Sequence, residues 1–486
     1  MNRPLSTHLS AGLLLVLLLN GCAVGPDYHR PELNVSLNWA GPFPTNVASS
    51  TLMAPAFDTL ATWWRAFNDD KLTALVEESI LTNLDLKIAA ARVRQARSAR
   101  GIAAGGLWPA VGASASYQRT HSEAPTSFGL ANGDRFQAGF DAVWELDVFG
   151  GLRRSVESAG ANVLAAQEGL RDAQVTLVAE VALNYIQLRG LQQQIAIAQN
   201  NLQAQRRTAD ITHRRQAAGF VSALDVANAD AQVATTESII PALESSVRQT
   251  IYALSILLAR PPAALLDELS PGGPIPAPPV EIPPGLPSDL LRRRPDIRQA
   301  EAKLHAATAQ IGAATADLFP KFSLTGSLAY QSDLVRTWFT DPSRASAFGP
   351  TVTWPIFQGG SIVSNVRLQK ALRDESYLAY QRTVLAGLQE VENALIAFAK
   401  EGEHHTALAS AVSSNRRAVE LSTQLYTQGQ GDFLNVLNAE RSLYATEDAL
   451  VQSDRTLDTT LIALYKALGG GWEPEAGLAR AEPTRN

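Results

Sequence analysis

The chain of 486 residues contains one cysteine, Cys22, so an intrachain disulfide is excluded. A lone thiol is most often an incidental group, but the position of this one gives it a chemical role. Arg3 supplies a positive charge and Ala11-Gly12-Leu13-Leu14-Leu15-Val16-Leu17-Leu18-Leu19 an apolar run, with Gly21 directly before the thiol. That order is the layout of a secretory signal, residues 1–21, cleaved at Cys22. Other candidates for chemistry are sparse. His404 and His405 are adjacent, point different ways on a helix and make a poor metal pair. Arg292-Arg293-Arg294-Pro295-Asp296 could hold a phosphate, yet Pro at a first helical turn followed by an acid fits a helix start better. No Gly-x-Ser-x-Gly elbow, Walker loop or spaced Cys/His set occurs, so no enzyme activity, cofactor or metal is expected.

Leu19-Asn20-Gly21-Cys22 resembles the bacterial lipobox. The resemblance implies that Cys22 receives a diacylglyceryl group and becomes the new N-terminus, a covalent lipid rather than a cofactor. Ala23, not Asp, follows it, which under the sorting rule for such lipoproteins permits transfer to the outer membrane.

The elements that position these residues follow from composition and period. Charged residues are 18% and the formal net charge is -6, so nothing favours nucleic acid, which would want a basic face. No stretch after the signal offers the roughly 18 uncharged apolar residues of a spanning helix; a bilayer crossing would have to be made by strands. Residues 22–60 read as an extended N-terminal segment, 61–265 as a first repeat, 266–287 as a Pro-rich linker, 288–470 as a second repeat and 471–486 as a disordered tail. The repeats align at a nearly constant offset. Leu107-Trp108-Pro109 matches Leu318-Phe319-Pro320, and Ala227-Asn228-Ala229-Asp230 matches Leu437-Asn438-Ala439-Glu440. A repeat this long is a duplicated domain, not a solenoid unit.

Each half begins with a helix, about Leu72 to Ala104 and Ile297 to Ala316, ended by Pro109 or Pro320. Two period-two stretches follow, over about 111–149 and 321–357. Phe136, Ala138, Phe140, Ala142, Trp144 and Leu146 alternate with polar or small residues, as do Phe322, Leu324, Gly326, Leu328 and Tyr330. Then the period changes. Val384, Leu388, Val391, Leu395 and Phe398 step by four and three, a coiled-coil seam. The Pro-free stretch from Ser155 to Ala218 would span roughly 95 Å as one helix. Long helices are expected over about 152–258 and 360–468, turning near Gly219 and Gly429. Four strands cannot close a barrel, and open edges are not tolerated in lipid, so several chains would have to pool them. Three or more would leave a lumen, which the small polar Ser114, Ser116, Thr325 and Ser327 suit. The plainer alternative is a soluble β-sandwich carrying coiled coils.

At this point a family resemblance is evident. Cys22-Ala23-Val24-Gly25-Pro26-Asp27-Tyr28, Trp63-Trp64-Arg65-Ala66-Phe67 and Gly285-Leu286-Pro287-Ser288-Asp289-Leu290-Leu291-Arg292-Arg293-Arg294-Pro295-Asp296-Ile297 resemble the TolC-like outer-membrane factors, in their lipoprotein NodT/OprM-type branch. The likeness covers nearly all of residues 17 to 472. It implies a mixed α+β protomer of duplicated helix–hairpin–long-helix-pair units. The protomer would trimerise into a 12-stranded transmembrane β-barrel continued by a long periplasmic α-helical barrel. It implies a homotrimer in outer-membrane lipid, lipid-anchored and extending into the periplasm. The implied partners are a periplasmic adaptor (membrane fusion) protein and an inner-membrane pump of resistance-nodulation-division type. The implied function is the passive exit duct of a tripartite efflux pump. Alternatives are a type I protein-secretion duct, a heavy-metal channel and a non-channel lipoprotein that braces the envelope.

The resemblance also implies site residues. The family's periplasmic gate maps onto Tyr426, with Asn435 and Asn438 where acids are usual, so this chain departs from the acidic pattern. Asp432 could supply charge nearby, or simply cap the helix it opens. The two turns would meet the adaptor through Gly219, Ser222 and Leu224 in one half and Gly429 and Leu434 in the other.

Overall fold

A computed structural model describes residues 23–32, 39, 60–121, 133–278, 290 and 292–472. The signal segment and Cys22 lie outside the described residues, as do residues 285–289 and 291 of the Gly285–Ile297 block. Among the described residues the longer regular elements are α1 (Asp70–Thr82), α2 (Leu84–Gly105), β1 (Ala110–Thr120), β2 (Gly133–Leu146), α3 (Gly151–Ala217), α4 (Ala223–Leu257), α5 (Pro295–Ala316), β3 (Lys321–Ser332), β4 (Arg344–Thr353), α6 (Ser361–Thr427) and α7 (Phe433–Ala467). The duplication is exact in the helices: α3 and α6 both have 67 residues, and α4 and α7 both have 35. No helix of the described residues is long and apolar enough to cross a membrane.

The chain forms two compact units. One comprises residues 1–33, 91–167 and 299–382, and the other residues 34–90, 168–298 and 383–486. The first contains the sheet, in the order β1-β2-β3-β4 with every pair antiparallel. Its register joins the apolar positions of all four strands. Val111 faces Ala142, which faces Gly326, which faces Phe348; Ala113, Phe140, Leu328 and Ser346 form the next row. Because side chains alternate across a sheet, the small and polar set shares the other face: Gly112, Asp141, Ser327 and Ala347. The apolar face is unprotected in the protomer; Phe348 is 92% exposed and Val111 70%. The two halves also anchor the sheet alike. The indole of Trp144 donates to the Leu107 carbonyl, and that of Trp354 to Leu318.

Three expectations need correction. The single helix expected over Leu72–Ala104 is two, α1 and α2, because Asn83 ends one and starts the other. Its Oδ1 accepts the N–H groups of Asp85 (2.8 Å) and Leu86 (3.0 Å), while its amide donates to the Leu257 carbonyl (2.8 Å). Such a side chain offers the backbone an alternative to continued helix.

Of the N-terminal segment expected to be extended, residues 23–30 are packed against the rest of their unit. The Val24 N–H bonds to the Phe149 carbonyl (3.0 Å), Asp27 meets Arg154, and Tyr28 stacks on His305 with centroids 4.4 Å apart. Gly25 lies so close to Gly312 that a Cβ at position 25 would sit 2.4 Å from the Gly312 Cα.

The third concerns the tail expected from 471. Gly471 and Trp472 are packed: the Gly471 N–H bonds to the Leu60 carbonyl, and the Trp472 ring lies under the guanidinium groups of Arg171 and Arg298. Cation–π attraction to both guanidinium groups holds it. Residues 473–486 lie outside the described residues.

The Arg292–Asp296 cluster does serve a helix start. Pro295 opens α5, and Arg294, nearly buried, pairs with Asp296 (2.6 Å) and Glu390 (2.7 Å) and donates to the Ala467 carbonyl (3.0 Å). These bonds hold the guanidinium charged despite its burial.

Candidate functional site

The residues singled out at the two turns all fall in the second unit. α3 and α6 end identically. The Gly219 N–H bonds to the Gln216 carbonyl and the Phe220 N–H to that of Arg215, both at 2.9 Å. In the other half the Gly429 N–H bonds to the Tyr426 carbonyl (3.0 Å) and the Gln430 N–H to that of Leu425 (2.9 Å). This double closure is a Schellman turn. It needs a left-handed residue, and Gly219 and Gly429 sit at φ +76° and +75°, a region glycine enters without a Cβ penalty.

Beyond the glycines the halves diverge. Ser222 caps α4: its hydroxyl accepts the Asp225 N–H (3.2 Å), and the Asp225 carboxylate accepts the Ser222 N–H (3.0 Å). That reciprocal pair is a capping box. Asp432 occupies the equivalent N-cap position of α7 with extended backbone, but its side chain makes no cap hydrogen bond. The helix-capping role expected for Asp432 is therefore corrected. Asn435 stands where Asp225 stands in the first half and brings no carboxylate to reach back, and the Asp432 carboxylate remains exposed.

The second turn is held by tertiary contacts instead. Tyr426 does not present its ring to solvent; it is 2% exposed and packs with Ala209, Ala229, Phe433, Val436 and Leu437. Its hydroxyl donates to Thr212 Oγ1 (3.2 Å) on α3. The Arg215 guanidinium lies 4.6 Å from the ring centroid and donates to the Tyr426 carbonyl. One side chain of α3 thus grips both the ring and the backbone of the last turn of α6. Asn435 and Asn438, one helical turn apart and so on one face, are both exposed. So are Gly219, Ser222 and Gly429, along with Phe220 (74%), Leu224 (68%) and Leu434 (46%).

Farther along the helices, Thr208 Oγ1 donates to a buried Glu440 carboxyl (2.8 Å). Burial pushes that carboxyl above its ordinary pKa, and the Thr208 hydrogen bond opposes the shift only in part. Sequence reasoning missed Arg215, Thr212, Thr208 and Glu440 as site residues. The signal available was Arg214-Arg215 just before the glycine, together with the acid closing the repeated Asn-Ala-acid triplet.

The outer membrane efflux protein family model matches residues 75–260 and 286–470. The chain belongs to that family. It is 32% identical to nodulation protein T of Rhizobium leguminosarum bv. trifolii over 95% of this chain and 97% of that protein. It is 33% identical to the outer membrane protein OprJ of Pseudomonas aeruginosa over 96% and 97% of the two chains. Among solved structures, the outer-membrane channel OprN superposes with a TM-score of 0.85 at 36% identity, covering 93% of this chain and all of that one. The NodT/OprM-type resemblance is borne out. This family member is an outer-membrane exit duct of an efflux pump and extends into the periplasm.

Proposed function

We propose that three copies of this chain pool their sheets into a 12-stranded β-barrel in the outer membrane. Their long helices form a periplasmic α-barrel beneath it. The observation that carries this reading is the sheet. Its four strands leave β1 and β4 each with one partner in the protomer, while Val111, Phe140, Leu328, Phe348 and Val352 leave one face with a large exposed apolar surface. Lipid forbids unpaired strand edges, and three sheets joined edge to edge remove all of them.

The duct is passive: small molecules enter at the turn end from a periplasmic adaptor and an inner-membrane pump of resistance-nodulation-division type, and no catalysis is involved. The two turns are the adaptor contacts, through Gly219, Ser222 and Leu224 and through Gly429 and Leu434. The Arg215–Tyr426–Thr212 grip is the latch that keeps the α6–α7 turn drawn against α3, and Asp432, Asn435 and Asn438 face the pore. Cys22 carries the lipid, which serves as a sorting tag. The barrel, which crosses the whole bilayer, is the main anchor.

Native mass spectrometry of the full-length protein extracted in detergent tests the assembly. Three copies, each bearing a lipid mass on Cys22, are expected. A stable monomer that still inserts into bilayers would rule out the pooled barrel.

A further inference from the structure

Asp458, on α7, is wholly buried, and neither carboxylate oxygen has a hydrogen-bond partner in the protein. A buried carboxyl left without partners costs free energy whether it is charged or neutral. It lines a cavity of about 340 Å³. The proline segment Pro274, Pro276 and Pro278 and the side chain of Leu457 give that cavity an apolar wall, and Gln193 of α3 adds a neutral polar group. Asp454, one helical turn before Asp458, also lines it and is held by His405 of α6 at 2.7 Å. Among the described residues the charged and titratable lining groups are Asp454 and Asp458 from α7 and His405 from α6, and the described α3 and proline residues of the wall add none.

We propose that this cavity binds a small organic cation, an ammonium or guanidinium group on a short carbon stem, with Asp458 as its counter-charge. Two acidic side chains on one wall, with no Arg or Lys among the described lining residues, disfavour an anion. Among the described residues no group of three or more His, Cys, Asp or Glu is placed to hold a metal ion, so the cation is an organic one. The apolar wall matches a carbon stem, and the volume is that of a small-ligand pocket. Without a ligand, burial and then the nearby Asp454 push the Asp458 carboxyl up to about 8, so it is largely neutral at pH 7. Cation binding displaces that proton to the buffer. A neutral acid becomes a carboxylate paired with the bound cation, and the total charge balances.

Isothermal titration calorimetry on the full-length, detergent-solubilised protein tests the assignment, with 1,4-diaminobutane as the probe. Titrations at pH 7 in two buffers of different ionisation enthalpy report protons released. Expected are one site per chain, net proton release, and no binding of the neutral analogue 1,4-butanediol. Asp458→Asn, which keeps the shape and removes the charge, should weaken binding at least tenfold while leaving the unfolding temperature unchanged or higher. Absence of binding heat would mean that water or a neighbouring chain fills the cavity and would overturn the proposal. Equal affinity in the wild type and Asp458→Asn, or binding of the diol as tight as the diamine, would overturn it too.

Discussion

The two turns share a backbone and differ in what holds them. The first, around Gly219, carries its own cap: its Schellman closure leads straight into the Ser222–Asp225 box, and Phe220 and Leu224 are exposed, while half-buried Val221 packs against the cluster around Tyr426. The second, around Gly429, has the same closure but no cap. Its aromatic residues Tyr426 and Phe433 are buried, and Arg215 of the other helix pair secures it. At the repeat offset, Tyr426 corresponds to Gln216, which is exposed, and Glu440 to Asp230, which pairs with His213 at 2.9 Å on the surface. A duplicated scaffold has thus given one turn a cap of its own and left the other to be held by a neighbour. Dependence on a neighbour allows movement, because breaking a few side-chain contacts frees the second turn while the first stays formed.

The largest effect should come from Tyr426→Ala. Removing a buried aromatic costs roughly 3–5 kcal/mol, here concentrated on the end of α6 and the start of α7. Hydrogen exchange should speed up most at the backbone amides of residues 425–437 and much less at 219–226, where the Ser222–Asp225 box remains and Val221 alone of that turn touches the Tyr426 cluster. Uniform acceleration across both turns would mean that they are not independently held.

Ser222→Ala and Asp432→Ala sharpen the same contrast at smaller scale. Loss of a working N-cap costs about 1 kcal/mol, so Ser222→Ala should lower protection at the start of α4 by about fivefold. Asp432→Ala, which removes no cap bond, should change stability by less than about 0.5 kcal/mol, as surface substitutions do. Equal losses would show that Asp432 caps α7 after all.

Glu440 gives the contrast a pH dependence. Its folded-state pKa is raised above the ordinary 4.5 by burial, so the fold favours its neutral form. Its stabilising contribution is fully present below pH 4.5 and is lost as pH rises through the folded value. Glu440→Gln, which stays neutral, should flatten the unfolding-temperature profile between mildly acid and neutral pH. Its exposed counterpart Asp230, changed to Asn, should leave that slope as it is. The smallest structural effect is expected of Asn435→Asp with Asn438→Asp. Stability should hold, while single-channel recordings should show greater cation preference, as carboxylate rings attract cations more than amides do. Unchanged selectivity would place both residues away from the pore.

Much of this contrast was legible in local pattern. Period-two alternation placed the strands, and the observed register joins their apolar rows across β1 to β4. Heptad spacing and the glycines located the long helices and both turns, because these depend on residues near one another in sequence. What was not legible depends on distant residues. The helix break at Asn83 rests on a bond to Leu257, the docking of Trp472 on Arg171 and Arg298, and the burial of Tyr426 on Thr212 and Arg215. The family resemblance put Tyr426 at the gate; only the packing shows that its ring turns inward to grip α3.

Single-channel conductance in planar bilayers tests the central claim most directly, that this chain forms a duct latched at its second turn. The wild type should insert as a narrow channel, Tyr426→Ala should raise its conductance several-fold, and Phe220→Ala at the first turn should leave it unchanged. Equal conductance in all three, or no conductance from any, would contradict the account.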